Sequence, residues 1–321
     1  MKQKETSRSV TLVNPEEKDM GRTYEPVKLR GLLIGEGIPK ICVPVTGRTK
    51  KEILEDAKDA VAAGPDLIEW RGDWYEDVFD KDKTQEVLET LRKMLKEIPL
   101  LFTFRTLKEG GVQKSSEQDY KQLNLNVLKT GCVDLIDVEN FSEKETVEEV
   151  MEAARSCGCK VILSSHDFEK TPEEEEIISR LISMQEKGAD IVKLAVMPVC
   201  TKDVFTLLNA TAKMHEEYST CPLITMSMSA KGAISRMCGE LTGSAVTFGS
   251  VKKSSAPGQP EAKDLSKMLQ LYHKSFKVSS STLSGVNTSP SMPRERPVSI
   301  LSSRSSMKKH SSGFRWKVSN K

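Results

Sequence analysis

Lys193 lies in the apolar run Gly188-Ala189-Asp190-Ile191-Val192-Lys193-Leu194-Ala195-Val196-Met197-Pro198, a lone cation among aliphatic neighbours. The run is short and bounded by Gly188 and Pro198, which predicts a buried strand. A lysine there must find a carboxylate, reach solvent, or give up its proton. A neutral amine attacks carbonyl carbon to form an imine, and the imine acidifies the adjacent C–H bond. The competing reading is a structural ion pair. His166, in Ser164-Ser165-His166-Asp167, has an ordinary pKa near ~6.5, which suits a base for that proton. A packed core histidine is its competing reading. Glu109 is a carboxylate able to fix the histidine tautomer. Arg71, Arg105 and Arg236 point to an anionic, polyoxygenated substrate, because guanidinium forks bind carboxylates and hydroxyls. Solvated surface arginine competes for each, most strongly for Arg236.

These groups need a scaffold, and the chain between residues 40 and 276 supplies a regular one. Strand-like runs occur at 41–45, 66–70, 100–104, 133–138, 161–165, 191–196, 223–228 and 245–248. Helix-compatible stretches follow each, at 50–63, 85–97, 118–130, 143–157, 173–187, 202–218, 233–240 and 262–272. Asp, Asn, Ser and Thr mark helix entries, and Gly64, Gly131, Gly158 and Gly188 mark exits. Eight βα units in about 240 residues predict an α/β fold, a (β/α)8 TIM barrel. A doubly wound open sheet is the alternative, but Val45-Thr46-Gly47-Arg48 is no Gly-rich phosphate turn. Chemistry in a barrel collects at the carboxyl ends of strands. The polar residues fall there: Glu69 and Arg71, Arg105 and Glu109, Asp137 and Glu139, Ser164 to Asp167, Lys193, and Met226-Ser227-Met228.

Composition narrows the class further. From residue 277 to 321 there are nine Lys/Arg against one acid, which leaves 39 basic and 45 acidic residues in 1–276. A mildly acidic body argues against a nucleic-acid role. The stretch from about Val278 holds 14 Ser and little periodicity, so it reads as a solvated tail, with Phe314 and Trp316 a weak docking element. Residues 1–37 read as an amino-terminal extension with no apolar leader, and no run is long enough to span a membrane. The seven cysteines are scattered and odd in number, which favours free thiols in a reducing cytoplasm over a disulfide framework or zinc site. No metal constellation or dinucleotide fingerprint appears, so no cofactor is expected.

In order and at compatible spacing, a set of motifs between about Ile38 and Tyr272 resembles the type I 3-dehydroquinate dehydratases, the Schiff-base class of the shikimate pathway. The motifs are Ile68-Glu69-Trp70-Arg71, Thr103-Phe104-Arg105-Thr106-Leu107-Lys108-Glu109-Gly110-Gly111, Asp137-Val138-Glu139 and Ser164-Ser165-His166-Asp167-Phe168. They continue with Val192-Lys193-Leu194-Ala195-Val196-Met197-Pro198, Thr225-Met226-Ser227-Met228, Ile234-Ser235-Arg236 and Ser255-Ala256-Pro257-Gly258-Gln259. The resemblance implies a lyase of aromatic amino acid biosynthesis, cytoplasmic and homodimeric, acting on the small molecule 3-dehydroquinate with no membrane partner. Lys193 would form the imine, His166 would move protons, and Glu109 would orient His166. Arg236 matches the ligand of the substrate carboxylate. Glu69, Arg71 and Arg105 match positions that hold ring hydroxyls and carboxylate, and Asp137 a supporting carboxylate. Met226 and Met228 match apolar walls, and Ser255 and Gln259 a loop that closes over the substrate. Ser229 and Ala230 depart from the family, which more often has glycine there. A class I aldolase would share the imine, and a metabolite sensor would share the barrel but usually lacks the His–Lys pair.

Overall fold

Short β-branched runs such as Ile41-Cys42-Val43 favour extended chain, because their branched side chains fit a pleated surface. The computed structural model describes residues 24–252 and 255–283. An antiparallel hairpin of β1 (Val27–Leu29) and β2 (Leu32–Ile34) comes first. Eight strands follow: β3 (Lys40–Val45), β4 (Leu67–Arg71), β5 (Leu100–Thr103), β6 (Leu135–Glu139), β7 (Lys160–Asp167), β8 (Ile191–Val196), β9 (Leu223–Ser227) and β10 (Val246–Phe248). They run parallel in the order β10-β3-β4-β5-β6-β7-β8-β9. The two ends meet where the Ala245 N–H donates to the Leu223 carbonyl at 2.7 Å, beside a bridge between Leu223 and Ser244. Sequential neighbours closing on themselves make the (β/α)8 barrel that the alternation predicted and exclude the doubly wound sheet, whose order reverses.

The helices between the strands are α1 (Lys50–Ala62), α2 (Lys81–Leu95), α3 (Glu117–Lys129), α4 (Lys144–Cys157), α5 (Glu174–Glu186), α6 (Thr201–Lys213), α7 (Gly239–Thr242) and α8 (Ala262–Leu283). Their ends follow from capping chemistry. Ser116 and Asp119 form a reciprocal capping box on α3, and Gly158 ends α4 at φ 74°, a left-handed conformation that favours glycine. Three helices differ most from the sequence expectation, one of them α8, which runs on past the expected 272 to Leu283. The second helix starts four residues early because Asp80 caps it, accepting from the N–H groups of Asp82 and Lys83. The expected helix at 233–240 is instead a 3-10 turn, Ala230–Arg236, followed by the short α7. The Ser235 hydroxyl accepts from the Ser227 N–H, and a side chain at Gly232 would run into the Ser227 carbonyl. The segment is pinned to the end of β9 and cannot wind freely.

Alternation along each strand sorts the core into two parts. Residues such as Val43, Ile68, Phe102, Ile136, Leu163, Val192 and Leu194 face the helices and form the larger cluster. Their neighbours face inward, where Cys42, Leu67, Leu101, Leu135, Ile162, Ile191, Ile224 and Val246 fill the lower barrel. The hairpin caps this end, adding Val27, Leu29 and Ile34 to the inner cluster. Its turn, Arg30–Gly31, has positive φ at both residues, as a tight two-residue hairpin requires. Arg30 fastens it by donating to Asp134 at 2.6 Å. All seven cysteines are free, with Cys157 and Cys200 exposed. Among the described residues no helix is long and apolar enough to cross a membrane. The first residues of the Ser-rich stretch, expected to be unstructured from about Val278, are helical as far as Leu283; the rest of that expectation, including Phe314 and Trp316, and the expectation for residues 1–23 lie outside the described residues.

Candidate active site

Two residues above the apolar inner layer, the same strand faces carry Glu69, Thr103, Asp137, Ser164, Lys193, Met226 and Phe248. One layer higher come Arg71, Arg105, Glu139, His166, Ala195 and Met228. Strand register makes this local: Thr103 pairs with Asp137, Glu139 with Ser164, Ser164 with Lys193 and His166 with Ala195.

Of the three fates open to Lys193, the structure selects a partner. Its side chain is 5% exposed. Nζ donates to Asp137 Oδ2 at 3.0 Å, stands 3.8 Å from Glu69 Oε1 and lies 4.7 Å above the Phe248 ring. The resting amine is thus ion-paired rather than isolated. Asp137 binds a second cation through Oδ1, which accepts from Arg105 Nη2 at 2.8 Å and from the Ser164 hydroxyl at 2.6 Å. Burial would push the Asp137 carboxyl up, but Arg105 and Lys193 overcome it and hold the group well below the ordinary carboxylate range. Glu69 is fixed by the Thr103 hydroxyl at 2.8 Å.

Arg105 organises the centre of this network. Its Nη1 also donates to Glu139 at 3.0 Å, the Ser164 hydroxyl at 3.1 Å and Glu109 at 3.3 Å. Glu109 sits in turn 2.8 Å from His166 Nδ1. Burial drives both members of that pair toward their neutral forms. It raises the Glu109 carboxyl to about 8, against the pull of Arg105 and with help from Glu139 and Asp137. It also holds His166 well below its ordinary value, reinforced by the cations of Arg105 and Lys193. With Glu109 neutral, its carboxyl donates to Nδ1 and the ring proton stands on Nε2. With Glu109 ionised, the carboxylate accepts from Nδ1–H and Nε2 is left free as a base.

A single cavity that opens to solvent gathers these groups at the carboxyl ends of the strands, with about 490 Å³ of empty space. Glu69, Arg71, Arg105, Glu109, His166 and Lys193 line it, with Met226 and Met228 as apolar wall. Ser255 and Gln259 close one side and are joined by a bond from the Ser255 N–H to Gln259 Oε1 at 2.8 Å. Two expected residues do not line the cavity. Asp137 is wholly buried beside Lys193, and Arg236 packs against Met226, with Nη1 3.6 Å from the Met226 sulfur. Arg236 Nη2 donates to the Pro257 carbonyl at 3.3 Å, while Nε has no partner. Burial pulls this guanidinium down to about 10, and no carboxylate among the described residues pairs with it. A buried cation without a counter-ion is costly, which fits a group that receives an anion from outside.

Ser229 has φ 61° and ψ 173°, a region nearly reserved for glycine. Its N–H donates to the same Pro257 carbonyl at 3.2 Å. Sequence reasoning named no role for Thr103, Phe248 or Asp73. The first two follow from period-two spacing, since each shares a strand face with an inward residue. Asp73 stands beyond β4, where that pattern stops.

The type I 3-dehydroquinase family model matches residues 41–276. The 3-dehydroquinate dehydratase of Clostridioides difficile is 52% identical over 250 residues, covering 78% of this chain and 98% of the relative. That of Bacillus licheniformis is 49% identical, again over 78% of this chain and 98% of the relative. Among solved structures, the Clostridium difficile enzyme with covalently modified comenic acid superposes with a TM-score of 0.77 at 51% identity, over 79% of this chain and all of that one. The Enterococcus faecalis dehydratase gives 0.73 at 41% identity, over 77% of this chain and 99% of the other. With family model, sequence and barrel in agreement, the chain belongs to the type I 3-dehydroquinase family.

Proposed function

We propose that this dehydratase works through an imine on Lys193, with His166 as the proton carrier. Lys193 condenses with the C3 ketone of 3-dehydroquinate and releases water. The iminium acidifies C2–H, His166 removes that proton, and the same imidazolium protonates the departing C1 hydroxyl, a syn elimination. Water then cleaves the product imine to give 3-dehydroshikimate and the free amine. Glu109 holds His166 by Nδ1, and its ionised form leaves Nε2 facing the reaction. Arg236 takes the substrate carboxylate through a guanidinium fork that lysine cannot reproduce, exchanging the Pro257 carbonyl for it. Glu69, Arg71 and Arg105 hold ring oxygens, and Asp137 steadies the amine before attack.

The observation that carries this reading is the shared cavity: amine, imidazole and Ser255–Gln259 loop line one pocket at the carboxyl ends of the strands. Loop closure would keep water from the imine until elimination is complete. The covalently modified comenic acid in the Clostridium difficile relative is in keeping with covalent chemistry in this family. The enzyme acts in the cytoplasm as a homodimer, with a barrel of residues 38–276 between an amino-terminal extension and a Ser-rich tail.

Turnover is read as the ultraviolet absorbance of the conjugated enone when purified protein meets 3-dehydroquinate. Wild type should develop it and Lys193→Ala should not. Binding without absorbance would identify a metabolite sensor, and equal rates in both proteins would eliminate the imine.

A further inference from the structure

Asp73 is a carboxylate with no solvent exposure that the proposed chemistry leaves without a task. It stands in Arg71-Gly72-Asp73, within the 3-10 turn Gly72–Trp74 that leaves β4. Its two oxygens grip Arg71 fork to fork: Nε donates to Oδ1 at 2.7 Å and Nη2 to Oδ2 at 2.8 Å. The intervening Gly72 lets the turn press against Phe102, where a Cβ would come within 2.7 Å of the ring. Asp73 also accepts from the Arg105 and Val112 N–H groups, at 3.4 and 3.3 Å. These are long for N–H···O bonds, so the grip on Arg71 dominates. Arg71 is left with Nη1 turned elsewhere, 3.5 Å from the Ser255 carbonyl of the closing loop, and it lines the cavity.

We infer that Asp73 is a positioning residue for substrate binding, holding two nitrogens of Arg71 so that its remaining edge meets the substrate and the Ser255 loop. The inference rests on the reading of Arg71 as a substrate ligand. A bare structural role explains the burial less well, because a buried ion pair often stabilises a fold no more than apolar residues of the same volume would. An unheld arginine samples many rotamers, and restricting it before substrate arrives leaves less ordering for the substrate to impose.

The test is a double-mutant cycle on turnover of 3-dehydroquinate. Asp73→Asn turns an amide N–H2 toward Arg71 Nη2, so donor meets donor and the fork opens. KM should rise about tenfold or more while kcat falls less, since the lost contact positions rather than reacts. In an Arg71→Met background the same change should alter KM less than about twofold, because residues acting as a unit are not additive. Asp73→Glu keeps the charge but displaces the fork by one methylene; it should also raise KM, and it serves if the asparagine variant fails to fold. Half-saturation for borohydride trapping of the imine gives the same comparison independently of the folded fraction. A lowered melting temperature with unchanged KM would overturn the inference, as would an undiminished KM effect in the Arg71→Met background. A wild type that traps no imine at all would instead overturn the reading of the site, leaving a separate signature.

Discussion

The base and the mouth of this barrel are made of the same strands and behave as different materials. On β4 the inward residues run Leu67, Glu69, Arg71; on β6, Leu135, Asp137, Glu139; on β8, Ile191, Lys193, Ala195. Below, the interior is aliphatic and sealed by Val27, Leu29 and Ile34 of the hairpin. Above, it is a network in which Arg105 alone contacts three carboxylates. A step of two residues, about 7 Å of strand, separates apolar packing from ionic chemistry. The base supplies stability through buried area. The mouth supplies fixed charge, whose net contribution to stability is small because desolvation offsets attraction. Damage to the mouth should therefore appear in rate, and damage to the base in melting temperature.

The largest effect belongs to Lys193→Ala, which should lower turnover by roughly 10⁴-fold or more and abolish borohydride-dependent mass gain. Asp137 keeps Arg105 and Ser164 as partners, so melting should change far less than rate; a collapse of the fold would show that the mouth also holds the barrel together. His166→Ala comes next, with elimination slowed about 10²- to 10⁴-fold while slow imine formation persists, detectable by mass.

Glu109→Gln sharpens the comparison through pH. In the folded protein the Glu109 carboxyl is raised to about 8, against ~4.3 in an unfolded chain. The folded state therefore holds an extra proton between those values, and this group makes stability fall as pH rises across that window. His166, held low, acts at the acid side, its contribution being lost as pH drops below ~6.5. The wild-type rate of C2 proton removal should climb toward pH 8 as Glu109 ionises. In Glu109→Gln that limb should vanish, kcat should fall about 10- to 100-fold, and melting should become less sensitive to alkaline pH. A retained limb near 8 would assign the titration elsewhere.

At the base, Ile34→Ala should cost about 2–4 kcal/mol of stability with kcat/KM unchanged, measured by denaturant unfolding beside kinetics. A loss of activity in the folded variant would couple hairpin and mouth. Smallest of all, removing residues 284–321 should leave kcat/KM within about twofold.

The fold was legible because each βα unit carries its own punctuation: Gly at helix exits and short β-branched runs between them. Lys193 and His166 were legible because polarity inside an apolar strand is conspicuous in one dimension. What escaped is what depends on proximity across the chain. The ion pair of Lys193 with Asp137 joins residues 56 apart, and no local pattern chooses between partner and neutral amine. The hairpin escaped because three-residue strands are too short to show periodicity. The 3-10 turn at 230–236 escaped because contact with β9, not propensity, decides its shape. Arg236, for which a surface position was the strongest competing reading, is buried against Met226 and the Pro257 carbonyl.

The central claim is that the amine of Lys193 forms a covalent bond with the substrate ketone. Wild-type protein incubated with 3-dehydroquinate and borohydride, then digested and mapped by mass spectrometry, should carry the reduced adduct on the peptide containing Lys193. An adduct on another lysine, or full turnover with no adduct at any residue, would contradict it.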